Sequence, residues 1–426
     1  MKDKEYNWYR LDNAARLYPA ILDTRDSTFR LAMELYEDVD PVLLQQALEH
    51  TLPRFPTFEV KLKKGYFWYY FEYNENTPPV EEESDFPCSK IYASQNNWFL
   101  FKVLYYKNRI SLEVFHSITD GLGGMEFFKS LVFEYLRLKG YEMDGEGLIK
   151  TNDESPKPYE IEDSFEKYYN KGEKKKRHDE HAYRIEGIAY PRGEQNIVQG
   201  VVEVDQIARA AKKYGVKLTT YLAAVMIYAI YRDQRLDLGE KKPVRIMVPV
   251  NLRRMFPSGT LRNFISHYIV GVRFEGETTF RDIIDRLSEQ LKEVATKEEM
   301  SARINTNAAI TKNIIIKIVP LYFKNFGIRT AYNWFGERQY TSVVSNLATI
   351  KLPQSMQSHV KNVWCAMGAT DMLPIKVSVC SYNGRMNITF TRCIEESDII
   401  KEFFRFLSRE EKLDVEIFGN GWRENV

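Results

Sequence analysis

Cysteine is scarce. Cys88, Cys365, Cys380 and Cys393 are the only four, they lie far apart, and none forms a C-x-x-C pair. That spacing excludes a disulfide framework and a zinc knuckle. No excess of one charge is present either: 60 basic residues face 59 acidic ones, for a formal net charge of +1. Whole-chain charge therefore marks neither a nucleic-acid binder nor an anionic-membrane binder, although a local basic patch is left open. Long apolar runs are missing too. The longest, near Tyr221–Tyr231, is about half of the roughly 20 residues needed to cross a bilayer. The opening MKDKEYNWYRLDNAARLYP holds no signal-peptide core. A cytoplasmic protein with reduced thiols and no transmembrane segment is expected.

What is present is ordinary globular material with a surplus of rings. The 426 residues are 44% hydrophobic and 14% aromatic, with 27 Tyr and 25 Phe. That is enough bulk for large cores or an apolar cleft. Two structured halves, 1–150 and 191–426, flank a charged connection over 151–190 rich in Glu, Lys, Asp, Gly and Pro. In the first half Asp40-Pro41 opens a helix, with Leu44, Leu48 and Leu52 on one face. A hairpin follows over 58–71, and two strand-like runs, Trp98–Tyr106 and Ile110–Phe115, lead to His116. The second half alternates strands with helices. It includes one long helix over Thr278–Ile304 and a hairpin around Asn383-Gly384. Mixed strands and helices in each half predict an α/β or α+β architecture.

The sharpest chemical feature is Phe115-His116-Ser117-Ile118-Thr119-Asp120-Gly121, followed by Leu122-Gly123-Gly124. An apolar strand delivers a histidine to its end, and a glycine-rich bend then starts a helix. Such bends hold side chains at the rim of a sheet, within reach of reagents. An imidazole with an ordinary pKa of about 6.5 is largely neutral at pH 7 and able to accept a proton. Asp120 is expected to fix the local backbone through an arginine, and Gly121 to supply backbone angles closed to other residues. The bland alternative is a buried, hydrogen-bonded histidine beside an ordinary Asp-Gly turn. The remaining histidines are weaker. His178 and His181 sit in the charged connection, where a solvated segment outweighs metal binding, and His50, His267 and His359 have no evident partner.

His116-x-x-x-Asp120-Gly121 resembles the signature of the CoA-dependent acyltransferase superfamily, which includes chloramphenicol acetyltransferase and the condensation domains of peptide synthetases. Further segments resemble it in the right order: Tyr9-Arg10-Leu11-Asp12, Arg54-Phe55-Pro56, Val248–Arg253 with Arg262-Asn263-Phe264, and Ser345-Asn346-Leu347. The chain is most similar to the bacterial alcohol-acetyltransferase-like branch. The resemblance implies two chloramphenicol-acetyltransferase-like lobes, each a mixed sheet flanked by helices, with a tunnel between them. It implies transfer of an acyl group from acyl-CoA to an alcohol hydroxyl, with His116 as general base, no metal and no permanently bound cofactor. Asp120 becomes an orienting residue paired with Arg25, Arg253 or Arg262. Ser345, Asn346, Asn251 and Asn263 become candidates for contacts with substrate. Two departures matter. Phe115 stands where peptide-forming relatives carry a second histidine, which favours free acyl-CoA over an acyl-carrier protein. Arg262 replaces a family glycine, which would put a charge near the donor's phosphates. The implied partners are acyl-CoA and a small or lipophilic alcohol, with no nucleic acid and a monomeric chain. The competing readings are condensation-like synthesis on a carrier thioester and a catalytically silent member that binds a ligand or partner.

Overall fold

The computed structural model describes residues 8–21, 27–173, 180–233 and 242–419. Two sheets carry most of the architecture, which is mixed α/β as expected. The first has five strands in the order Val360–Met367, Thr28–Leu35, Arg109–Phe115, Phe101–Tyr106 and Val80–Glu82. All its pairs are antiparallel except the last. The second has seven, in the order Ile265–Val272, Val244–Asn251, Ser342–Thr349, Ile375–Tyr382, Arg385–Arg392, Asn196–Glu203 and Val415–Gly419. A third, small sheet joins Trp8–Arg10 to the Val60–Lys64/Tyr69–Tyr73 hairpin.

Local chemistry explains the elements the sequence foretold. Asp40 caps the Pro41–Thr51 helix by accepting from the Val42 and Leu43 amides at 2.8 and 3.1 Å. Leu44 and Leu48 are buried with Phe58 and Phe127, whose rings stack at 4.1 Å. The Ile375–Tyr382/Arg385–Arg392 hairpin turns on Asn383 and Gly384 at φ 46° and 77°, the left-handed pair such a turn demands. The mostly apolar helix Leu218–Arg232 lies in the core of the second sheet.

Three expectations change. The long helix over Thr278–Ile304 is two helices, Phe280–Val294 and Lys297–Lys312. The chain breaks at Ala295, and the Thr296 hydroxyl accepts from the Glu299 amide at 3.2 Å, capping the second helix. The strand Val360–Met367 comes from the C-terminal part of the sequence yet completes the first sheet beside Thr28–Leu35. The charged connection is not merely a solvated strap. Glu160 is buried, receives Arg54 at 2.8 Å and Lys150 at 2.7 Å, and gives its carbonyl to the Leu261 amide at 2.7 Å. Burial pushes the Glu160 carboxyl up, but hydrogen bonds from Arg54 and Lys150 overcome that and hold it at about 2.

Candidate active site

His116 follows the last residue of the Arg109–Phe115 strand, and its amide donates to the Ser27 carbonyl at 2.9 Å. The strand is buried on both faces, Val114 and Phe115 included, and the turn that follows leaves the imidazole half-buried at the sheet's end. Tyr18 stacks on the ring at 4.9 Å and 16°, and Phe29 meets it edge-on at 5.1 Å. Packing of this density strips water from the imidazole and lowers its pKa below the ordinary value, while the charge of Asp120 pulls the other way.

Asn263 sets the proton on that ring. Its side-chain amide group donates to the His116 carbonyl at 3.0 Å and to Asp12 Oδ2 at 3.4 Å. With both donors so placed, its Oδ1 is the atom 3.0 Å from His116 Nδ1 and can only accept. Nδ1 therefore carries the hydrogen, and Nε2 keeps a lone pair. Asp12 is fully buried, accepts from the Ala15 amide at 2.7 Å, and lies 3.6 Å from Arg262. Burial lifts its carboxyl to about 6 against the pull of Arg262.

Asp120 does not touch His116. One of its oxygens caps the Gly121–Leu138 helix through the Gly123 amide at 3.1 Å. The other accepts from Arg253 at 2.7 Å and from the Phe264 amide at 2.9 Å. Of the three arginines, Arg253 is thus the partner of Asp120. Arg25 lies outside the described residues. Arg262 is buried and spends its guanidinium on the Arg10 and Ile161 carbonyls at 2.6 and 3.3 Å. It is a brace inside the protein, not a free charge toward a donor's phosphates.

Asn251 accepts from the Arg253 amide at 3.0 Å, so it orients that arginine. Asn346 donates to Thr219 at 3.1 Å and accepts from the Ala348 amide at 2.7 Å. Both its polar ends are engaged within the protein. Ser345 is half-buried, and no described residue engages its hydroxyl. It shares a strand face with Leu347, whose Cδ2 lies 2.6 Å from where a Cβ on Gly121 would stand. Gly121 is outside the left-handed region. It is needed for this close approach and not for its backbone angles. Gly123 is tighter still: a Cβ there would sit 2.1 Å from the Leu261 carbonyl oxygen.

The other histidines lie away from this cluster. His50 meets Glu134 at 2.9 Å, His359 stacks on Tyr141 at 3.8 Å, and His267 stands exposed on the Ile265–Val272 strand. His178 lies outside the described residues, among which no metal-ligating cluster occurs. A cleft of about 920 Å³ is lined by Trp8, Arg10, Arg16, Trp68, Tyr70 and Lys317 among others. His116 is not in its lining; Arg16, two residues before Tyr18, is the nearest link in sequence.

The sequence reading missed Tyr18 and Phe29 as neighbours of His116, and Asp12 as the partner of Asn263. Asp12 and Phe29 stood in the N-terminal stretch that carries the resemblance, but nothing in their spacing pointed to Asn263 or His116.

The alcohol acetyltransferase family matches residues 94–411. Among curated proteins none matches the sequence. Solved structures resemble the fold at low identity. A trichothecene 15-O-acetyltransferase from Fusarium sporotrichioides is 10% identical with a TM-score of 0.61, over 94% of each chain. The first condensation domain of the calcium-dependent antibiotic synthetase is 12% identical with a TM-score of 0.63, over 97% of this chain and 100% of that one. The starter condensation domain of rhizomide synthetase, in complex with C8-CoA and Leu-SNAC, is 13% identical with a TM-score of 0.55, over 96% and 94%.

Proposed function

The chain belongs to the alcohol acetyltransferase family, an acyl-CoA-dependent O-acyltransferase by that membership, and we propose that His116 is the general base that activates its alcohol. The supporting observation is the Nδ1 contact with Asn263, which leaves Nε2 as the proton acceptor. An alcohol hydroxyl set against Nε2 gives up its proton as its oxygen bonds to the thioester carbonyl carbon. The carbonyl becomes a tetrahedral oxyanion. That intermediate collapses, the carbon–sulfur bond breaks, and the thiolate takes the proton back from the imidazolium to leave as the free thiol. No covalent enzyme intermediate is needed. The Ser345 hydroxyl is the donor we assign to the oxyanion, while Asn251 and Asn346 act within the protein. Asp120 and Arg253 hold the turn rather than the ring, and Asn263 is a positioning residue.

We assign the donor as free acyl-CoA. The position before His116 is filled by Phe115, which is buried in the core and contacts Tyr18 edge-on at 6.4 Å. The acceptor is a small or lipophilic alcohol. The chain works as two lobes joined by 151–190, the first built on 1–150 with the Val360–Met367 strand added to its sheet and the second on the rest of 191–426. The test is thiol release from acetyl-CoA across a panel of alcohols. Native protein is expected to release thiol only when alcohol is added, and His116→Ala to be slower by about 10²–10⁴-fold. Native turnover in His116→Ala would remove the base from this scheme.

A further inference from the structure

The start of the Leu321–Phe335 helix departs from the usual pattern of a surface helix: Leu321 is buried in the ordinary way, but its neighbours are not arranged so. It buries Lys324 and Asn325 and turns Tyr322, Phe323 and Phe326 outward. Both buried residues are held by donated bonds, although the buried Asn325 Oδ1 accepts none from a described residue. Lys324 Nζ donates to the Phe67 carbonyl at 2.9 Å and lies 3.5 Å over the Trp68 ring, and Asn325 donates to the Tyr69 hydroxyl at 2.8 Å. These bonds lock the helix to the tip of the Val60–Lys64/Tyr69–Tyr73 hairpin, where the Leu321 amide also donates to the Tyr66 carbonyl at 2.9 Å. The tip exposes Tyr66 and Phe67, and the preceding helix exposes Ile318. Six large apolar side chains, 41–74% exposed, therefore stand on two segments in direct contact. Scattered exposed apolar residues are ordinary, but a gathered patch marks an interaction surface.

The charge around the patch selects what covers it. From Ser301 to Gly336 there is no Asp or Glu, against Arg303, Lys312, Lys317, Lys324 and Arg329. From Val60 to Phe71 there is again none, against Lys61, Lys63 and Lys64, while Glu72 just beyond pairs with Lys61 at 3.2 Å and with Lys63 at 3.6 Å. Lys64 and Lys317 are exposed near the aromatics and make the collar, with Lys63 shared with Glu72. In a chain of net charge +1 this is a concentrated local excess. Tyr, Trp and Phe with a lysine collar is the composition that settles at a bilayer interface. Protein–protein interfaces are instead depleted of lysine, and a second copy would set one lysine collar against another.

We propose that this face docks on the surface of an anionic phospholipid bilayer. Tyr66, Phe67, Tyr322, Phe323 and Phe326 enter the headgroup boundary, and the lysines face the lipid phosphates. No helix among the described residues is long and apolar enough to cross a membrane, so the contact is peripheral. Lys317 and Trp68 also line the 920 Å³ cleft, which places that cleft's rim beside the lipid.

The test is co-sedimentation of the full chain with sucrose-loaded phosphatidylcholine vesicles, with and without phosphatidylglycerol. Binding is expected to the anionic vesicles, weaker to the neutral ones, and to decline as salt rises. The triple variant Tyr322→Ser, Phe323→Ser, Phe326→Ser is expected to bind about tenfold more weakly or worse with its melting temperature kept. In case that variant fails to fold, Phe323→Trp supplies an independent reading: its emission is expected to be quenched by lipids brominated in the upper acyl chain. The proposal is overturned by absence of binding to anionic vesicles, by undiminished binding of the folded triple variant, by an unquenched Phe323→Trp, or by a native dimer that the triple variant abolishes.

Discussion

Two opposed forces set the proton affinity of His116. The close packing of Tyr18 and Phe29 disfavours the imidazolium, and the buried charge of Asp120 favours it. Desolvation wins, so the ring stays neutral to a lower pH than a free histidine, as the base role proposed for it requires. The acid limb of the kcat/KM–pH profile is therefore expected below about 6.5, and a limb above that value would contradict the burial argument. In the same profile, Asn263→Ala is expected to lower kcat by about ten- to a hundredfold across the whole pH range, because the ring then loses its fixed orientation. At this scale the sequence was legible where chemistry is local. His116, Asp120 and Gly121 are consecutive features of one strand-to-helix bend, and Arg253 was among the partners weighed for Asp120. Asn263 was seen as a residue of the site, but its hold on His116 was not, since that contact joins residues 147 apart. Asp12 reaches Asn263 from 251 positions away, a pairing no spacing rule encodes.

The glycines at the start of the Gly121–Leu138 helix act at the scale of elements. Gly123 lets that helix meet the backbone of the 255–264 loop, which carries Leu261 and Asn263, so it sets the distance between the two sides of the site. Gly123→Ala is expected to cost about 1–3 kcal/mol in urea denaturation, since the obstacle is a carbonyl oxygen that cannot swing aside. Gly121→Ala is expected to cost less, because the side-chain tip of Leu347 can move. Equal losses would mean that the loop yields as readily as a leucine. Element starts were readable because caps and turns are local signals, as Asp40 and Asn383-Gly384 show. The break at Ala295 was not, because the apolar and charged pattern runs on through it and only the Thr296 cap interrupts the helix. The Leu321–Phe335 helix was missed for the opposite reason: its outward Tyr322, Phe323 and Phe326 invert the pattern by which surface helices are read.

At the scale of the whole molecule, the candidate site draws on both halves, since the His116 ring stands on the first sheet and the Asn263 amide that meets it on a loop of the second. The layered α/β architecture was legible from the alternation of strands and helices. The sharing of parts was not, because strand pairing across more than 300 residues leaves no mark in local sequence. The Val360–Met367 strand covers Thr28–Leu35 along its length, from Phe29 to Leu35. A polypeptide ended within the connection, at residue 190, is thus expected to be insoluble when produced by itself, with a naked row of amides and carbonyls inviting other chains. Supplying residues 191–426 from a second gene is expected to restore solubility, scored as the fraction left in the supernatant after centrifugation. The two halves are woven rather than hinged, and a gene for one is a gene for something that cannot live alone.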